Sequence, residues 1–310
     1  MRALHHYAIR PGGKGLKLLQ FPLVKLVLAI SLLMVFVSLA VIISDQLVRF
    51  LPDDWDRRQV RDVMQTLLVC AFSLLAYWLF RALIEGESLT DLSLRHLLPQ
   101  TLAGVLLGSG FITLIMVIMA LSGAYTVTGW NGMAVSLPIF LMALQAGVME
   151  EILSRGILFR IIEEGVGTWV SVILSALIFG FLHGWNDNAS LFSSLSIALT
   201  AGIILALLYV VTRQLWIPIG MHFAWNFTLG GVYGAPVSGM KSKGMLTSTL
   251  EGSEWLTGGA FGPEASLITI GVFMVFGILL TIWIVKKHLY YVPGWMKKLD
   301  KSKQAYGGKD

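Results

Sequence analysis

The sequence predicts an all-α membrane protein of about eight transmembrane helices, with a polar cavity inside the helical bundle. Three observations predict it. Apolar runs of about 20 residues recur along the chain, and a run of that length crosses a bilayer core as a helix. Only 13% of the 310 residues are charged and 56% are apolar, whereas a soluble domain carries about 25% charged residues. Finally, a few acidic, basic and amide side chains sit inside the apolar runs at helical spacing, where hydrocarbon makes any charge costly.

The predicted spans fall near Leu23–Ile43, Met64–Ile84, Leu102–Leu121, Ala134–Ile162, Trp169–His183, Leu191–Val211, Leu215–Leu229 and Leu267–Val285. The first run is long and lacks a small-residue cleavage site, so it reads as a retained span. The fourth exceeds what a bilayer needs and must tilt or project into the cytosol. Gly104 and Gly108 form a small-xxx-small pair, the pattern of close helix packing. Pro218 is either an ordinary first-turn proline or a kink that opens a cavity. The segment from Gly230 to Ser266 is rich in Gly, Ser and Thr and reads as a loop. A basic N-terminal segment (1–22), one polytopic membrane domain (23–287, with a motif-bearing core at 134–230) and a lysine-rich C-terminal tail (288–310) account for the chain.

Composition also excludes classes. The alternating strands of a transmembrane barrel are missing. The single cysteine, Cys70, permits neither an intrachain disulfide nor a cysteine-based zinc cluster. The net charge of +5 comes largely from the two ends. In so apolar a chain, basic ends suit anionic lipid headgroups and not nucleic acid. If the N-terminus is inside, Arg2, Arg10, Lys14, Lys17, Arg81, Arg95, Arg160, Arg213 and the C-terminal lysines are cytoplasmic. They outnumber the external Arg49, Arg57, Arg58, Arg61, Lys241 and Lys243, which predicts both termini inside. Trp130, Trp169, Trp185 and Trp216 near span ends suit an interfacial belt.

Three spans carry the polar groups. Glu150, Glu151 and Arg155 lie in AGVMEEILSRGILF, Phe179 and His183 in FGFLH, and His222 and Asn226 in HFAWN. Glu151 and Arg155 are four apart and share a helix face in the favourable acid-before-base order. Glu150 is turned about 100° away and is left free for another partner. The stretch from Glu164 to Gly167 reads as the turn between spans four and five. At 1.5 Å per residue, Glu150 and His183 both lie roughly 20 Å from that turn, and Asn226 lies about as deep from Arg213. The three motifs therefore reach similar depth. A carboxylate paired with a histidine activates water, and a second histidine with an amide donates hydrogen bonds to an oxyanion. These are the groups of peptide hydrolysis. The alternatives are a structural ion-pair network, a proton relay in a transporter, or a non-catalytic scaffold.

At these residues the sequence resembles the CAAX-processing and bacteriocin-processing (CPBP) intramembrane proteases, which include the type II CAAX prenyl proteases. That family carries EExxxR, FxxxH and HxxxN or HxxxD on successive helices, and all three occur here in order. The resemblance covers about Ala134 to Gly230. It implies an intramembrane endopeptidase with a catalytic cavity within the helical bundle. By the same resemblance Glu150 and His183 activate water, His222 and Asn226 form the oxyanion site, and Glu151 with Arg155 is a supporting ion pair. It further implies a membrane-associated protein or peptide substrate, in a multi-pass protein of a prokaryotic plasma membrane.

Cofactor use is left between two readings. Glu150, His183 and His222 offer ligand types that zinc accepts. Against zinc stand the positive Arg155 near Glu151, the lack of HExxH, and Asn226, a poor zinc ligand. The sequence reading is therefore of a metal-free enzyme. A transporter would carry inverted repeats, which are not apparent, and a scaffold that had lost activity would show a broken motif.

Overall fold

A computed structural model describes residues 19, 21–52 and 54–295. The basic segment up to residue 18 and the tail beyond residue 295 lie outside the described residues. Helix α1 (Pro22–Leu47) starts at a first-turn proline, where the missing N–H costs nothing. Helix α2 (Arg57–Leu79) starts at Asp56, whose side chain accepts from the Gln59 amide at 3.0 Å. It runs on into a π-helical turn, Phe80–Glu85, and packs along α1. Helix α3 is Leu94–Leu121. Helix α4 (Leu137–Glu151) continues through a π-helical stretch, Ile152–Phe159, into α5 (Arg160–Val166). Gly167, with φ +85°, then reverses the chain into α6 (Thr168–Leu182).

Helix α7 (Leu191–Ile197) passes through a π turn, Ala198–Gly202, into α8 (Ile203–Thr212). Helix α9 is Trp216–Asn226 and ends in a π turn, Phe227–Val232. After a short helix, α10 (Glu254–Thr257), the chain closes with α11 (Leu267–Lys286).

Among the described residues, seven helical stretches are long and apolar enough to cross a membrane. The protein is an all-α, multi-pass membrane protein. The sequence expectation of about eight spans differs at one place. The segment near Leu215–Leu229 is an 11-residue α-helix followed by a 6-residue π turn, short for a bilayer. It needs no lipid contact because it is the buried centre of the bundle. Met221, Trp225 and Leu229 are almost fully enclosed. Pro218 sits in its first turn, where its missing N–H would have had no intrahelical partner.

Gly104 and Gly108 explain how α9 reaches the centre. A Cβ at Gly104 would collide with the Ile217 carbonyl, and one at Gly108 with the Met221 carbonyl. Small residues on α3 thus let the two backbones touch. This contact fixes α9, and with it His222 and Asn226.

The segment between Gly230 and Ser266 is more ordered than a plain loop. Strand β2 (Leu246–Leu250) pairs antiparallel with β1 (Tyr125–Trp130), from Tyr125 opposite Leu250 to Trp130 opposite Leu246. Neither strand was expected. Each has at most six residues and its partner lies far along the chain, so no local periodicity announces it.

Both described ends of the chain lie at one face. Lys25 Nζ meets Glu164 at 2.7 Å, the Tyr291 amide donates to Thr168 Oγ1 at 2.7 Å, and Trp295 Nε1 donates to the Gly165 carbonyl at 3.0 Å. Under that face Glu85 pairs with Arg81 at 3.0 Å and with Arg160 at 2.7 Å. These two arginines are buried partners and not free loop charges. Buried charge is tolerated when it is paired in this way.

Candidate active site

Helix α4 delivers both glutamates at its C-terminal end, and the π-helical stretch begins at the next residue. π-helical turns are rare and cluster at functional sites. Arg155 lies inside this stretch, fully buried, and donates to Glu151 Oε1 at 2.7 Å. Its other terminal nitrogen donates to the Ala201 carbonyl at 3.2 Å and the Gly202 carbonyl at 2.9 Å. The guanidinium also lies 4.7 Å from the centroid of Phe179, within cation–π range. Arg155 thereby ties α4, α6 and the π turn before α8 together.

Glu151 has a second partner that the spacing did not reveal. Its Oε1 also accepts from His222 Nδ1 at 2.8 Å. Glu150, one residue earlier, turns toward the opening between the two histidines. Its Oε2 lies 4.0 Å from His183 Nε2 and 3.9 Å from His222 Nε2.

His183 ends α6. Its Nδ1 is 2.8 Å from the Phe179 carbonyl. A carbonyl only accepts, so Nδ1 carries the proton, and in the neutral ring Nε2 is the free lone pair facing Glu150. Phe179 packs against both imidazoles, with centroids 4.7 Å from His183 and 5.9 Å from His222. The aromatic of FxxxH is thus the spacer that holds the two rings and the guanidinium apart. A Cβ at Gly180 would strike the Ser194 carbonyl, so α6 is seated directly on α7.

Asn226 lies one turn after His222 and is buried to a similar degree. Glu150, His183, His222 and Asn226 all line one cavity of about 250 Å³. Met142, Leu153 and Leu182 add apolar wall. Residues from three separate helices, predicted to share a depth, therefore share a cavity.

Residues 132–228 match the family model for the type II CAAX prenyl endopeptidase, Rce1-like. The three-motif core matches the Rce1-like family. The chain also resembles the Bacillus subtilis (strain 168) protein named "Putative membrane peptidase YdiL", at 29% identity over 93 residues. That alignment covers 30% of this chain and 36% of the relative, so the chain spans about a third of the relative it matches. No solved structure matches the chain.

Beyond the Rce1-like core, one wall of the cavity comes from the segment read as a loop. Val237, Ser238 and Met240 line the cavity. Glu264, just before α11, is buried, and its carboxylate accepts from Trp225 Nε1 at 2.9 Å, from the Ser238 amide and from Ser238 Oγ at 3.3 Å. Burial pushes its carboxyl up, while the Ser238 amide and nearby His183 act in the other direction. Sequence reasoning missed Glu264 because a lone glutamate before a span reads as an interfacial residue. Only its placement beside Trp225, inside HFAWN, reveals a role.

A zinc site needs three or four ligating side chains around one point. Among the described residues, no three His, Cys, Asp or Glu side chains are grouped as metal ligands. The Glu150 carboxylate stands 4.0 Å from the His183 imidazole and 3.9 Å from that of His222, somewhat wider than the roughly 3.4 Å edge between two tetrahedral ligands bound at about 2.0–2.2 Å. No step below is routed through a metal.

Proposed function

We propose that this protein is an intramembrane endopeptidase that hydrolyses a peptide bond in a membrane-associated protein or peptide. The observation that carries the reading is the position of Glu150, about 4 Å from both imidazole Nε2 atoms on the wall of a cavity. A gap of that size holds a bridging water (hydrogen bonds of about 2.8 Å on each side). The Rce1-like match over the same residues supports it.

In this reading Glu150 and His183 polarise the water and Glu150 takes its proton as the oxygen attacks the scissile carbonyl. The tetrahedral oxyanion is met by His222 Nε2–H and the Asn226 amide. His222 serves as that donor in its doubly protonated form, and Glu151 on Nδ1 stabilises the form and aims the ring. When the C–N bond breaks, the proton held by Glu150 passes to the leaving amine. Arg155 holds Glu151 and touches no substrate.

Orientation follows from the charge bias. With both termini cytoplasmic, His183, at the far end of α6 from the Gly167 turn, lies toward the outer face. The mouth walled by Val237 and Met240 then opens outward, in a prokaryotic plasma membrane. Such a mouth favours a peptide presented from the outer side over a cytosolic CAAX terminus. Membrane proteomics with wild-type and Glu150→Ala protein tests the function. New substrate-derived termini that depend on Glu150 are expected, and identical terminal profiles would refute it.

A further inference from the structure

The turn Val237–Met240 is built to hold a shape. Ser238 has φ +47° and Gly239 φ +86°, two successive left-handed residues, as in the tightest hairpin turns. A Cβ at Gly239 would run into the Asp187 carbonyl, so only glycine fits there. Ser238 has no such freedom, and non-glycine residues in this region persist where the surroundings over-determine them.

The surroundings do so here. Val237 and Met240 exchange both amide-to-carbonyl bonds, at 3.0 and 2.9 Å. The Gly239 amide donates to the Phe261 carbonyl at 2.9 Å. The carbonyls of Ser238 and Gly239 accept from Asn186 and Asn188 at 3.0 and 2.9 Å. The Ser238 amide goes to Glu264. Every backbone donor and acceptor of the four residues is used. The turn therefore offers no strand edge to a bound peptide. Val237, Ser238 and Met240 line the cavity together with Met142, Leu153 and Leu182, and of the three turn residues only Met240 is substantially exposed. Met240 is 40% exposed, lines the cavity and lies outside the membrane-spanning helices.

We infer that this turn is the specificity wall of the site. It accepts a bulky apolar side chain next to the scissile bond, Met240 is the specificity-determining residue, and Glu264 is the positioning residue that locks the wall to the His222 helix through Trp225. The inference rests on the peptidase reading. It goes beyond it because the turn and Glu264 lie outside the matched segment, residues 132–228.

The test uses the purified full chain in lipid nanodiscs and a set of membrane-anchored peptides that differ only at the residues flanking the cleavage site, with cut positions read by mass spectrometry. Met240→Ala should shift kcat/KM toward larger flanking side chains, and Met240→Trp toward smaller ones, each by about tenfold or more, the effect of resizing an apolar pocket. Because Met240 is partly exposed, both variants should fold. Glu264→Ala should raise KM far more than it lowers kcat, and Glu264→Gln, which keeps an oxygen acceptor for Trp225, should restore part of the KM. Cleavage with unchanged preference in both Met240 variants overturns the wall. A loss in kcat alone at Glu264, without rescue by Gln, overturns its positioning role. If wild-type protein cuts no peptide while Glu150-dependent termini are also missing from membranes, the peptidase reading itself falls and takes this inference with it.

Discussion

Glu151 holds His222 Nδ1 at 2.8 Å through the same oxygen that accepts from Arg155. The second glutamate of EExxxR therefore does two things. It closes the ion pair visible in the spacing, and it fixes which nitrogen of His222 faces the cavity. Glu151→Gln keeps the shape and removes the charge. Activity is expected to fall by about a hundredfold or more, as when a histidine loses its orienting carboxylate. Steady-state kinetics on folded protein would show this, and near-wild-type kcat would reduce Glu151 to a structural ion pair.

The water-activating pair makes the sharpest claim. Glu150→Ala and His183→Ala should each abolish cleavage while the protein still inserts, since neither side chain carries a packing contact as deep as Arg155. His222→Ala and Asn226→Ala should lower the rate by about a hundredfold or more. Full activity in either of the first two variants would falsify the assignment.

Arg155→Leu should act mainly on stability. It strands Glu151 in a dry site and releases the Ala201 and Gly202 carbonyls, at a cost of about 3–5 kcal/mol. Thermal unfolding in detergent should show a large drop in melting temperature. A stable but inactive Arg155→Leu protein would give the guanidinium a direct catalytic role.

Topology can be read chemically. In a Cys70→Ala background, Lys243→Cys should react with an impermeant thiol reagent in intact cells, and Lys287→Cys should react only after the membrane is opened. Both positions are exposed. The reverse pattern would turn the protein over and point the cavity to the cytosol.

Metal dependence has a clean outcome. Activity is expected to survive stringent chelation, with no stoichiometric metal found by elemental analysis. Near-stoichiometric zinc, with activity lost on its removal and restored on its return, would make Glu150, His183 and His222 ligands.

Much of this protein is legible in one dimension. Hydrocarbon imposes a single rule on every span, so run length alone marks the seven long helices. The cost of burying charge marks Glu150, Glu151, Arg155, His183 and His222 as purposeful before any contact is known. Helical spacing pairs Glu151 with Arg155, because i and i+4 are neighbours wherever a helix forms. What lies between helices is not encoded in spacing. That Glu151 reaches His222 on another helix, that Phe179 spaces the two imidazoles, and that Gly104 and Gly108 admit α9 to the centre all follow from three-dimensional packing. The short pairing of β1 with β2, and the Glu264 bond that draws a Gly- and Ser-rich segment over the cavity, link residues distant in sequence. Their partners are chosen by which polar groups must be satisfied once buried, and only the tertiary structure decides which groups those are.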